Sequence, residues 1–164
     1  ADTFSSYAKS CLQEGADGIF LATTEWASYE LLSDEEYGEF GRPYDLQVLA
    51  GARGGSFNIL HVCGRRNMLR ALLDYPVGAF NWAATDATNP SLREILRRSG
   101  KAVIGGIDEK GALLHGPPEA LRQEIERARE ERERGRWMLG PGCAIPVDVP
   151  EGHLRQIRQE IERW

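Results

Sequence analysis

The sequence predicts an α/β protein of parallel strands, each followed by a helix, and three observations carry that expectation. Five apolar runs are nearly continuous rather than strictly alternating, as in parallel strands covered on both faces. Stretches with helical spacing and capping signals separate them. Strands alternating in this way with helices imply right-handed crossovers.

The elements follow in order. The opening "ADTFSSYAKSCLQEG" is amphipathic and lacks the apolar region of a signal peptide. It begins without methionine, which reads as a longer chain cut at this point. Strand candidates are "DGIFLAT" (17–23), "SFNILHVC" (56–63), "VGAFNWAA" (77–84), "KAVIGGI" (101–107) and "RWMLGPGC" (136–143). Ser33 followed by Glu36 is a capping-box pattern before a helix expected through 34–53. "NMLRALLDY" keeps apolar residues at helical spacing. In "NPSLREILRRSG", Pro90 stands near a helix start and Gly100 just past its end. "PPEALRQEIERAREERERG" starts with prolines and should stop at Gly135. The tail "PEGHLRQIRQEIERW" predicts a last helix with Leu154, Ile157 and Ile161 on its apolar face.

Five such units suit either a doubly wound sheet or part of a (β/α) barrel, since a complete barrel usually takes ~250 residues. No internal boundary is visible, so residues 1–164 read as one domain. With 41% hydrophobic and 27% charged residues the chain can bury one core. No apolar run reaches the ~20 residues of a membrane helix, so a cytoplasmic location and no membrane partner are expected. A net charge of −5 argues against a nucleic-acid partner, and the arginine clusters are interleaved with glutamate or lie at helix ends. Three cysteines, Cys11, Cys63 and Cys143, make no disulfide framework and read as thiols, buried or liganding.

The chemistry concentrates at strand ends. On a strand, His61 and Cys63 point to the same side, at the C-terminal end where α/β proteins build their sites. Cys143 follows "RWML" within the tight loop "GPGCAIP", whose glycines would turn the backbone sharply and aim the thiol at a shared centre. One imidazole and two thiolates supply three positions of a tetrahedral zinc site with a fourth open. Ordinary core packing of a small cysteine is the competing explanation. Cys11, on the first helix and far from any strand end, reads as a buried thiol. Asp108, after a strand end in "GGIDEKG", could orient a substrate or simply form a turn. Gly105-Gly106 implies close backbone approach to a bound group without the spacing of a dinucleotide fingerprint. Glu25 and Asn81, at or near strand ends, complete the candidate catalytic set. His115 at a helix entry reads as a capping or surface residue, and His153 as solvated.

At this point an ordered set of motifs matches a family. "EGADGIFLAT", "LLSDEEYGEFGRPY", "ILHVCG", "FNW", "GGIDEKGALLHGPPEALRQEI" and "LGPGCAIPVDVPEGHLRQI" together resemble the C-terminal half of the uroporphyrinogen decarboxylase superfamily. That group of (β/α)8 TIM barrels contains the decarboxylase and zinc-dependent corrinoid:thiol methyltransferases, so the resemblance implies the last five β/α units of a barrel. Methyltransferase-like members look like H-x-C-G near one strand end and P-G-C near the last. Here these are His61-Val62-Cys63-Gly64 and Pro141-Gly142-Cys143. The resemblance implies that His61, Cys63 and Cys143 bind zinc and activate a small thiol, which takes a methyl group from a corrinoid carried on a partner protein.

The decarboxylase branch looks like G-H-G in the last loop, where a histidine meets the porphyrinogen. Gly140-Pro141-Gly142 lacks that histidine. Metal-free decarboxylation of uroporphyrinogen III, a tetrapyrrole-type substrate, is therefore the second expectation. Two motifs depart from the family. Members reading G-N-x-D-P correspond to Gly105-Gly106-Ile107-Asp108-Glu109, which keeps Asp108. The usual L-D-W is Phe80-Asn81-Trp82, with an amide in place of an acid. The family's N-terminal half, with the arginine-rich segment of true decarboxylases, is not in the sequence. A third expectation is an inactive portion acting only by self-association. An open barrel leaves strand edges unpaired and apolar faces exposed, which predicts a homo-oligomer.

Overall fold

The computed structural model describes residues 1–131 and 136–163. It divides into two units, Ala1–Asn81 and Trp82–Trp164, and each carries part of the predicted set of five parallel strands.

The first unit holds α1 (Asp2–Gln13), β1 (Phe20–Ala22), α2 (Asp34–Phe40), α3 (Arg42–Gly51), β2 (Ile59–His61) and β3 (Ala79–Asn81). Its three strands are parallel, and the register sets Ala22 beside His61 and His61 beside Asn81. The hydrogen-bonded strands are shorter than the apolar runs that announced them. The runs continue as buried coil, so Val62 is fully buried although it lies beyond β2.

The expected capping box is present: Ser33 Oγ accepts from the Glu36 N–H at 3.2 Å, and Glu36 Oε2 accepts from the Ser33 N–H at 2.8 Å. The helix expected through 34–53 is instead two helices broken at Gly41. Pro43 explains the break, because it has no N–H to donate and its ring would collide with the carbonyl four residues back. It is accommodated in the first turn of α3. "NMLRALLDY" is not a helix but a single 3-10 turn, Leu69–Ala71. Its apolar spacing came from burial around a bend, since Met68, Leu69, Leu72 and Tyr75 are all enclosed. Pro76 then disfavours helical backbone at Tyr75.

The second unit holds α4 (Leu92–Ser99), β4 (Ala102–Ile107), α5 (Ala112–His115), α6 (Pro118–Glu131), β5 (Trp137–Pro141) and α7 (Glu151–Ile161). Strands β4 and β5 are parallel, with Ile107 beside Pro141. Ser91 Oγ accepts from the Glu94 N–H to start α4, and the helix stops at Gly100, as expected. The one-turn α5 had no sequence signal. The predicted stop of the next helix at Gly135 lies outside the described residues. Leu121 and Ile125 of α6 bury one stripe against Ile107 and Leu113, with Leu139, Val149 and Ile157 packed around them. Each such aliphatic side chain contributes about 1.5–3 kcal/mol when fully enclosed. On α7 only Ile157 joins that cluster. Leu154 and Ile161 stay about two-fifths exposed, at 41% and 39%. Among the described residues no helix is long and apolar enough to cross a membrane.

Candidate metal centre

His61 is the last residue of β2 and is buried at 6% exposure. Register explains its surroundings. Residues paired in adjacent strands present their side chains on the same face, about 5 Å apart. Asn81, its partner on β3, places Oδ1 2.7 Å from His61 Nδ1. An amide oxygen only accepts, so the Nδ1–H donates; in a neutral ring this leaves the lone pair on Nε2. Phe20 on β1 lies on the same face, two residues before Ala22, the partner of His61. Its ring stacks on the imidazole with centroids 5.6 Å apart and planes 23° from parallel.

Cys63 lies two residues past β2, half-buried. The strand expected to carry it stops at His61, and Val62 continues the pairing with a single bond from its N–H to the Asn81 carbonyl at 2.9 Å. Gly64 follows with φ 80°, a turn suited to glycine.

In the second unit Cys143 stands in the corresponding place, two residues past β5, and is also half-buried. Gly142 before it donates to the Ile107 carbonyl at 3.1 Å. A side chain there would meet the Ala83 Cα at 2.5 Å, so the loop needs a residue without one. All three cysteines are present as thiols. Cys11, on α1, lies away from the strand ends beside an apolar groove with Phe4, Tyr7 and Phe20.

Asp108 follows β4 and is engaged in a turn. Its Oδ1 accepts from the N–H groups of Lys110 at 3.0 Å and Gly111 at 2.9 Å. Gly105 and Gly106 are close-approach residues toward helices. A side chain on Gly106 would come within 2.5 Å of the Ala128 Cβ, and one on Gly105 within 3.2 Å of Leu92. Glu25 is exposed in the turn after β1, next to Thr24 at φ 51°. His115 is exposed at the end of α5. His153, expected to be solvated, is half-buried, and its Nδ1 donates to the Leu113 carbonyl at 2.8 Å.

Three features escaped the sequence reading. Phe20 was counted only as a strand apolar, yet its place two residues before the strand end puts it on the face of His61. Glu124 lies inside "EIERARE", which reads as a solvated face. Its position one helical step from Leu121 and Ala128 was the available signal. It is 7% exposed, and its Oε2 accepts from the Asp108 N–H at 3.1 Å. Burial pushes its carboxyl up to about 7, beside a cavity of ≈ 340 Å³ that Thr85, Asp108 and Arg127 also line. Finally, Asp45 accepts from Tyr37 Oη at 2.5 Å and Tyr75 Oη at 3.0 Å. Desolvation raises all three of these groups, each residing mostly out of water.

A family model described as "Uroporphyrinogen decarboxylase (URO-D)" matches residues 1–164. The chain is 26% identical over 153 residues to the methylcobamide:CoM methyltransferase MtbA of Methanosarcina acetivorans, covering 93% of this chain and 43% of that protein. It is 26% identical over 159 residues to the protein of the same name from Methanosarcina mazei, covering 96% and 45%. It thus spans less than half the length of these relatives. A solved methyltransferase from Methanosarcina mazei superposes with a TM-score of 0.81 at 23% identity, over 99% of this chain and 46% of that one. That likeness shows the fold, parallel strands alternating with helices as in part of a barrel.

Proposed function

This chain belongs to the uroporphyrinogen decarboxylase (URO-D) family, and on that footing we propose that the whole protein moves a methyl group from a corrinoid carrier to a small thiol, with zinc held by His61, Cys63 and Cys143. The observation that carries the reading is the donor set. His61 ends β2 with Cys63 two residues past it, and Cys143 lies two residues past β5, so each unit offers donors just beyond a parallel strand. The set fits zinc: two thiolates are soft donors, imidazole nitrogen suits the same ion, and a neutral imidazole with two thiolates balances a divalent charge.

When bound, zinc would lower the pKa of a substrate thiol and keep it as thiolate at neutral pH. The remaining work falls to this chain's residues. His61 presents Nε2 from a strand end, Cys63 presents its thiol from the turn that Gly64 closes, and Cys143 does so from the loop that Gly142 permits. In the transfer the cobalt–carbon bond breaks with both electrons remaining on cobalt, and the thiolate electron pair forms the new sulfur–carbon bond. No proton moves once the thiolate exists. Catalysis therefore reduces to holding the sulfur in line with the methyl group. The metal-free decarboxylation reading leaves this donor set unused.

The test supplies the whole protein with zinc, methylcobalamin and a small thiol under anaerobic conditions. Loss of the methyl–cobalt absorbance, with equimolar thioether seen by mass spectrometry and abolished in Cys63→Ser, is the expected result. Full zinc occupancy with no thioether above the zinc-free rate would refute the proposal.

A further inference from the structure

We infer that Asn81 is a positioning residue that fixes the tautomer of His61 and so decides which ring nitrogen is offered to the metal. The inference rests on the metal reading proposed above for the role of Nε2, while the tautomer itself follows from geometry alone.

A neutral imidazole has two tautomers of similar energy, and only a nitrogen without a proton can ligate. Asn81 is 5% exposed and His61 6%, so their bond at 2.7 Å is formed away from competing water. The acceptor is an amide oxygen set by the register of β2 against β3, not by a flexible loop. Moving the proton to Nε2 would place two lone pairs against each other at 2.7 Å, so the Nδ1–H form is imposed. The stacked ring of Phe20 opposes rotation of the imidazole about its Cβ–Cγ bond, which would put Cδ2 in the place of Nδ1 and Cε1 in that of Nε2. Among the neutral acceptors, an amide achieves this without adding charge. A carboxylate there would fix the same tautomer but make the ligand more electron-rich and the site one unit more negative.

The chain has three histidines, so long-range 1H–15N correlation spectra of the metal-free protein at pH 8 resolve each ring. His61 is expected as the Nδ1–H tautomer. His153, whose Nδ1 donates to the Leu113 carbonyl, serves as an internal control that should show the same form throughout. In Asn81→Leu the His61 signals should move toward the Nε2–H pattern, and zinc affinity by chelator competition should fall roughly 10–100-fold. Asn81→Asp should keep the Nδ1–H tautomer and bind zinc at least as tightly as wild type. A wild-type His61 in the Nε2–H form overturns the inference, and it does so even if Asn81→Leu fails to fold. So does an Asn81→Leu protein whose tautomer and zinc affinity stay within twofold of wild type. Absence of zinc binding in wild type, with the Nδ1–H tautomer intact, would instead sink the metal reading and support the Asn81–His61 assignment.

Discussion

The ring of Phe20 lies stacked on the imidazole of His61, centroids 5.6 Å apart, although Phe20 itself is 57% exposed. The two meet because β1 and β2 run parallel, with Phe20 diagonal to His61 on one face. An aromatic pair of this kind adds roughly 0.5–1.5 kcal/mol beyond area burial. Phe20→Leu should therefore loosen zinc by about 2–10-fold in a competition titration. The melting temperature should fall by only about 1–6 °C, because little of the ring's surface is enclosed. Unchanged affinity would show that the stack does not steady the imidazole.

Glu124 gives a pH signature of the second unit. Its carboxyl is raised to about 7 by burial, so between the ordinary carboxylate range and pH 7 the folded chain holds a proton that the unfolded chain has released. More protons bound in the folded state means stability falls as pH rises through that window. Glu124→Gln should remove the fall. Thermal melts should then show a variant similar to wild type near pH 4.5 and more stable near pH 8, by about 2 kcal/mol. A variant less stable at both pH values would contradict the account.

Gly106 is required by helix packing. Its φ of 109° is strained for any L side chain, and a Cβ there would collide with Ala128 at 2.5 Å. Gly106→Ala should cost roughly 2–4 kcal/mol, read as a lowered denaturation midpoint. Adding Ala128→Gly relieves the collision but not the backbone strain. The double variant should therefore be less damaged than the two single effects summed.

Asp45 ties Tyr37 of α2 and Tyr75 before β3 into one cluster in the first unit. Tyr37→Phe and Tyr75→Phe should each cost about 1–2 kcal/mol by chemical denaturation. Because both phenols serve one carboxylate, their combined effect should depart from additivity by at least ~0.5 kcal/mol.

What the sequence revealed depended on how local the cause was. Ser33, Glu36 and Gly100 act within one helical turn, and each stands where the sequence put it. The strand end bearing His61 and the one just before Cys143 were legible because apolar runs mark them. The bend through Leu69–Ala71 was not, because burial from several sides mimics helical spacing. His61, Cys63 and Cys143 could be named from spacing and motif, whereas the acceptor facing Nδ1 depends on register across strands twenty residues apart. Gly105 and Gly106 read as room for a bound group, and their neighbours turned out to be Leu92 and Ala128. A glycine reports that something comes close, not what it is.

The proposed function requires His61, Cys63 and Cys143 to hold one zinc ion. The most direct measurement is the zinc content of the chain purified without chelator and then dialysed, set beside Cys63→Ser and Cys143→Ser. About one equivalent is expected in the wild type and less than about a tenth in each variant. Less than about a tenth of an equivalent in the wild type, or content unchanged by both substitutions, would contradict it.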